Sequence, residues 1–367
     1  MSRARSIISH RLAALVVLTC LLVSSRNVLA FETDQYDLPP VPLADIGDEV
    51  SEHVEQKLRK AVDKINAEIL IRQRCKSGDA DGGPEPGCDS LKAEVAKLAS
   101  LRTDAAMVDA VFDELGAGVP PFTSMGTWMD AHDFRGQPAR YRTSYAKSIF
   151  VLYPPIAFTI SPTVNMYGSE FGTDKIAHLF QQGYTYYKIY HRALAEGATP
   201  EEATAKAVGW GQKSERTFFG TLVAGVYSNA DLAANYVGLK FYQRLTQTIT
   251  LGDSTRPAVL LLKDGLWTFN DGVNLRDELL KPFISGHLNE ALNPSIFTKN
   301  LGMRWYIRRT VRKRSCAQWF ERYANLSKSG LDEESQALRQ WQSEDYGFTD
   351  SEHFVTIANT CFEAESR

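Results

Sequence analysis

Residues 172–194 read GTDKIAHLFQQGYTYYKIYHRAL, and how they fold decides the class of the whole chain. Thr173 can cap a helix that runs to Gly197. On that helix Asp174 and His178 stand four residues apart, hence on one face, with aromatic residues around them. A carboxylate and an imidazole so placed are either an ordinary polar contact or one half of a reaction centre.

The sequence downstream repeats the helical signal. In GATPEEATAKAVGWGQ, Thr199 is a cap, Pro200 takes the first helical position and Glu201 and Glu202 fill the first turn. KSERTFFGTLVAGVYS and NADLAANYVGLKFYQRLTQ follow, then shorter helices joined by loops such as LKDGLWTFNDGVN, then a helical block from about 297 to the end. Upstream, 43–73 carries apolar residues at helical intervals, and a second helix over about 89–115 stops at Gly116. In 116–171 prolines interrupt the pattern, and SIFVLYPPIAFTI reads as a buried loop or short strand rather than a membrane span. These signals predict an all-α multi-helix bundle. An N-terminal helical hairpin over 31–120 packs on a main helical domain over 121–367.

Residues 1–30 read as a secretory signal. Arg3, Arg5 and Arg11 precede an apolar run from Leu12 to Val23, and Val28 and Ala30 occupy the small-residue positions of a cleavage site after Ala30. Removal takes away four arginines and no acid, so the formal charge goes from −3 to −3 − 4 = −7. An acidic export product is not a general nucleic-acid binder, and the expected location is periplasmic or secreted, with no span left after cleavage. Four cysteines remain: Cys75, Cys88, Cys316 and Cys361. An even count in an oxidising compartment predicts two disulfides. Of the three connectivities the sequential one is preferred, with Cys75–Cys88 across a turn-rich loop and Cys316–Cys361 tying back the last helix. No C-x-x-C spacing supports zinc.

Three stretches share a polar character. DKIAHLFQQGY carries Asp174 and His178, SERTFFG carries Glu215, and SNADLAANYVG carries Asp231 and Asn235 with Gly238 on the same face. Small residues around Gly238 let another helix approach closely. Convergence would gather Asp174, His178, Glu215, Asp231 and Asn235 in one pocket, costly unless they pair or bind something. Singly, each has a plainer reading: Asp231, for instance, is a first-turn acid after Asn229 as cap. In PFISGHLNEALNPS, His287 and Glu290 at i,i+3 could offer metal or acid–base groups from one helical turn, or mark a helix end. H-E-x-x-H, G-x-S-x-G, P-loop and G-x-G-x-x-G patterns are missing, which disfavours the common proteases, α/β hydrolases and nucleotide enzymes.

The order D-K-x-x-H, then a Glu-bearing helix, then D-x-x-A-N-x-x-G resembles the VanZ-like family and the related YfiM-like lipoproteins of bacterial envelopes, over about 172–242. The resemblance implies an envelope protein with a helical polar centre. In RWYIRRTVRKR, Arg304, Arg308 and Arg312 fall on one helical stripe, expected either to bind an anionic lipid or glycan surface or to be a solvated face. The expected function is an envelope hydrolase acting on a lipid or glycan. His178, oriented by Asp174, is its base and Glu215 its acid or a ligand. Asp231 and Asn235, with His287 and Glu290, hold substrate or a divalent metal ion. The alternative is a non-catalytic envelope binding or assembly factor with the same residues as a buried lock.

Overall fold

The periodic stretch near the N-terminus folds as one long helix, α1 (Gly47–Gly78). It packs against α2 (Leu91–Leu101) and α3 (Asp104–Leu115), separated because the Thr103 side chain caps the second of them. The computed structural model describes residues 32–78, 88–119, 122–152, 160–217, 220–221, 225–297 and 302–362. The expected signal segment 1–30, with its cleavage after Ala30, lies outside these, as do residues 153–159 of the apolar stretch and 79–87 at the hairpin tip. Both expected disulfides form, Cys75–Cys88 closing the hairpin and Cys316–Cys361 tying the helix Cys316–Arg322 to Ile357–Cys361. No helix among the described residues is long and apolar enough to cross a membrane.

The all-α expectation fails: the fold is mixed α/β. Among the described residues one three-stranded and four two-stranded antiparallel sheets join the helices. Strands β1 (Thr163–Met166) and β2 (Ser169–Gly172) form a hairpin that leads directly into the stretch 172–194. The stretch around Asp264, expected to be a loop, is a second hairpin, Leu260–Lys263 paired with Leu266–Phe269. Each turns on two residues of positive φ, Tyr167 (52°) with Gly168 (78°) and Asp264 (51°) with Gly265 (78°). That is the geometry whose twist suits a two-residue hairpin. The three-stranded sheet sets β4 (Ser295–Phe297) between β3 (Val226–Ser228) and β5 (Phe354–Val355).

The expected helix over 173–197 begins one residue earlier than a Thr173 cap would give, with Gly172 at the cap position. Helix α4 (Thr173–Ala177) passes through a π-helical turn, His178–Gln182, into α5 (Gly183–Ala195). Helix α6 (Pro200–Glu215) has the expected start, with Thr199 and Glu202 completing a capping box. Helix α7 (Asn229–Thr246) is capped by the Ser228 side chain, while Asn229 binds the backbone of Pro294 and Thr349. Two glycines bring α5 and α7 into backbone contact: a Cβ on Gly183 would collide with Gly238, and one on Gly238 with the Leu179 carbonyl. The Tyr242 hydroxyl donates to the Phe180 carbonyl at 2.7 Å, satisfying an acceptor within the π turn.

Two apolar cores result. One combines the hairpin with the central helices through Val54, Leu58, Val111, Leu179, Phe180 and Phe241. The other gathers Tyr36, Phe150, Phe297, Ile307, Trp319 and Val355. Segments feeding both cores, 174–176, 226–232 and 290–291, carry the polar residues described next.

Candidate functional site

Lys175 is the centre of the site. Its side chain is fully buried, and Nζ donates to Asp174 Oδ2 at 2.5 Å, Asp231 Oδ1 at 2.5 Å and Glu290 Oε1 at 2.6 Å. An ammonium has three N–H donors, and all three are used. The first turn of α4 supplies Asp174 and Lys175, the first turn of α7 supplies Asp231, and Glu290 follows the short turn Gly286–Leu288. Ser228 joins two of these groups, donating to Glu290 Oε1 at 3.1 Å and accepting from the Asp231 amide at 3.1 Å.

The irregular N-terminal segment closes the centre from another side. Glu32 is 1% exposed, Thr33 Oγ1 donates to Asp174 Oδ1 at 2.8 Å, and Gln35 Oε1 accepts from the Glu290 amide. This is why position 172 is glycine: a Cβ there would strike both Thr33 Oγ1 and Asp174 Oδ1.

His178 occupies the edge of the cluster, 15% exposed where Asp231 is 1% exposed. Its Nδ1 donates to Asn235 Oδ1 at 3.0 Å, which aims Nε2 at Asp231 Oδ2, 3.6 Å away. Here the expectation that Asp174 orients His178 is corrected. Asp174 is taken by Lys175 and Thr33, and Asn235 on α7 fixes the ring. The glycine-mediated crossing of α5 and α7 brings these two residues together.

Glu215 ends α6, buried. Its Oε2 is 3.4 Å from the Ser228 amide that donates to it, and its Oε1 has no hydrogen-bond partner. Burial, reinforced by the charge of Asp231, holds its carboxyl well above the usual carboxylate range. Burial and the charges of Glu290 and Asp231 do the same to Glu32. Burial raises Glu290 to about 7 despite Lys175. Burial would push the Lys175 ammonium down, but Asp174, Asp231, Glu290 and Glu32 carry it well above the ordinary lysine value. The centre therefore holds a cation kept charged by its acidic neighbours and carboxyl groups whose ionisation burial disfavours.

Of the residues singled out in sequence, Asp174, His178, Glu215, Asp231, Asn235 and Glu290 meet at or beside this centre. His287 does not: Nε2 donates to the Gln340 carbonyl at 2.9 Å and Nδ1 lies 3.1 Å from Ser285 Oγ, so both ring nitrogens serve the local fold. The expected i,i+3 metal pair with Glu290 is thereby undone, because the chain turns between them. Helix α8 (Met303–Arg314) also departs from expectation. Arg304, Arg308 and Arg312 are half-buried, and Arg308 and Arg312 donate to the carbonyls of Phe354 and Thr360. The outward stripe is Trp305, Arg309 and Lys313 instead, with Trp305 64% exposed and the Arg309 guanidinium 5.0 Å over its ring.

Lys175, Glu32, Thr33, Gln35 and Ser228 were missed. For Lys175 a signal existed: four or more acids converging on a core need a counter-charge, and Lys175 is the cation inside the motif. Glu32 had none, because a polar ETDQYD run just after an expected cleavage site reads as a solvated end. A cleft of about 750 Å³, bordered by Tyr190, Val208, Tyr236, Lys240 and Glu344, includes none of the centre's charged groups. No family model, curated protein or solved structure matches the chain.

Proposed function

We propose that the chain is an exported, periplasmic or secreted hydrolase of the bacterial envelope, VanZ-like in its motifs, acting on a lipid or glycan. The observation that carries this reading is the setting of His178. Its tautomer is fixed by Asn235, its Nε2 faces an acid, and it lies at the edge of a group of buried carboxylates. Its position on a π turn fits, since such turns recur at functional sites. In the proposed step His178 Nε2 takes a proton from water, the resulting hydroxide attacks, and the leaving oxygen takes the proton held on Glu215. The two disulfides support an oxidising compartment. Trp305, Arg309 and Lys313 form the surface that meets anionic lipid headgroups or glycan.

Incubating the purified protein with phospholipid vesicles and with cell-wall glycan tests this. His178→Gln and Glu215→Gln should each lower product release by about 10²-fold or more with little change in Tm. The non-catalytic binding or assembly factor is favoured by one observation, that every donor of Lys175 is already satisfied. Absence of product from the wild type, with His178→Gln still complementing a deletion strain, would establish that second reading.

A further inference from the structure

Glu32, Asp231 and Glu290 offer carboxylate oxygens that all lie within 4.8 Å of one another, and each side chain is nearly fully buried. Oxygens bound to one calcium-sized ion at about 2.4 Å are separated by roughly 3.4 Å when adjacent and about 4.8 Å when opposite. The three are thus close enough to share an ion. Lys175 engages Oδ1 of Asp231 and Oε1 of Glu290, so a second cation would share these carboxylates with the ammonium. Two buried oxygens of this group have no hydrogen-bond partner, Glu32 Oε2 and Asp231 Oδ2. A buried carboxylate oxygen with no donor is costly, and an ion removes the cost.

We propose that Glu32, Asp231 and Glu290 form a binding site for a hard divalent cation of the calcium or manganese class, beside the Lys175 ammonium. All donors are carboxylate oxygens, which suits hard cations rather than zinc or copper. Five buried carboxyl groups, from Glu32, Asp174, Glu215, Asp231 and Glu290, gather around one lysine, and a dication would favour the ionised form that burial disfavours in Glu32, Glu215 and Glu290. Glu32 becomes a ligand supplied by the N-terminal segment, so ion binding fastens that segment to α7 and to the 290 segment.

The site deepens the hydrolase reading and rests on the same centre, but its test needs no turnover. Chelator-treated full-length protein is titrated with Mn2+, unbound ion is read by electron paramagnetic resonance, and Ca2+ is then added as competitor. One Mn2+ per chain is expected, displaced by Ca2+, with a rise in Tm. Glu32→Gln should weaken binding at least tenfold while its Tm in chelator equals or exceeds that of the wild type, because it removes a buried acid. Glu290→Gln should weaken binding as well, and the exposed Glu196→Gln should not. Absence of a saturable one-per-chain site in the wild type, which needs no variant to fold, overturns the proposal, as does unchanged affinity in Glu32→Gln. Binding without hydrolysis would sink the hydrolase alone, and hydrolysis without binding the cation site alone.

Discussion

The Lys175 centre and helix α8 are both dense in charge, yet the fold uses them in opposite ways. In the centre one lysine is enclosed by carboxylates, and each charge depends on its neighbours. In α8 the inward arginines donate to backbone carbonyls at the end of the chain, and the outward residues face solvent. Removing a charge from the first leaves a buried, uncompensated partner, whereas removing one from the outer face of the second leaves nothing unsatisfied. The charges differ in kind, acids around a lysine in one and basic residues alone in the other, but what decides the energetic consequence is whether removing a charge leaves a buried partner.

The largest effect should come from Lys175→Met. It strands Asp174, Asp231 and Glu290 without their donor, and breaking a buried pair in this way costs about 3–5 kcal/mol. Urea unfolding at pH 7 is the measurement. A loss under about 1 kcal/mol, the scale of an exposed pair, would erase the contrast between the two regions.

The pH dependence of the wild type follows next. Burial raises Glu290 from 4.5 to about 7, and Glu32 and Glu215 are raised as well. A carboxyl raised in the folded state binds more protons there than in the unfolded chain. Its contribution is therefore present below about pH 4.5 and is lost as pH rises toward 7. The loss for Glu290 is on the order of 3 kcal/mol. Tm measured between pH 4.5 and 7.5 should fall across this window, and Glu290→Gln should flatten the slope. A rising Tm would show the carboxyls to be ordinary paired anions.

What the sequence disclosed follows the same divide. Helix starts with their own chemistry were legible: Thr199-Pro200-Glu201-Glu202 names its cap, its first residue and its dipole partners within four positions. Both disulfides and the meeting of Asp174, His178, Asp231 and Asn235 were legible too, because i,i+4 spacing fixes a face and Gly238 signals a close crossing. The hairpins were not beyond reach: Asp264-Gly265 between apolar stretches is a hairpin turn signal, but reading the stretch as a loop left its flanks unpaired. Lys175 as hub, Asn235 rather than Asp174 as partner of His178, and Glu32 as neighbour of Glu290 depend on packing between segments far apart in sequence. A helical wheel cannot state which of two inward residues faces a third element.

The helix crossing that builds the centre gives an intermediate effect. Gly238→Ala places a methyl against the Leu179 carbonyl, and separating α5 from α7 should cost about 1–3 kcal/mol while drawing Asn235 from His178. Nuclear magnetic resonance of the His178 ring should then show a changed tautomer. An unaltered ring signal would mean that the crossing does not set the site. Below this lies the difference between the disulfides. Removing Cys316–Cys361, which spans 45 residues, should cost about 1 kcal/mol more than removing Cys75–Cys88, which spans 13, on the chain-entropy account. Equal losses in calorimetry would refute that ordering.

The smallest effect on stability belongs to the outer face of α8, where the contrast with the centre is sharpest. Trp305, Arg309 and Lys313 stand four residues apart on the exposed side, so replacing them with Ala, Gln and Gln should change stability by no more than about 0.5 kcal/mol. Arg308→Gln and Arg312→Gln should each cost about 1 kcal/mol or more, because the carbonyls of Phe354 and Thr360 lose charged donors. Binding should run the other way. Co-sedimentation with anionic vesicles should drop for the outer variant and weaken with salt, since exposed charges are screened within about 8–10 Å. It should persist in any inward variant that remains folded. If the inward arginines control vesicle binding and the outer face does not, α8 must leave the C-terminal segment to bind, and the division between a fixed inner stripe and an available outer one would be wrong.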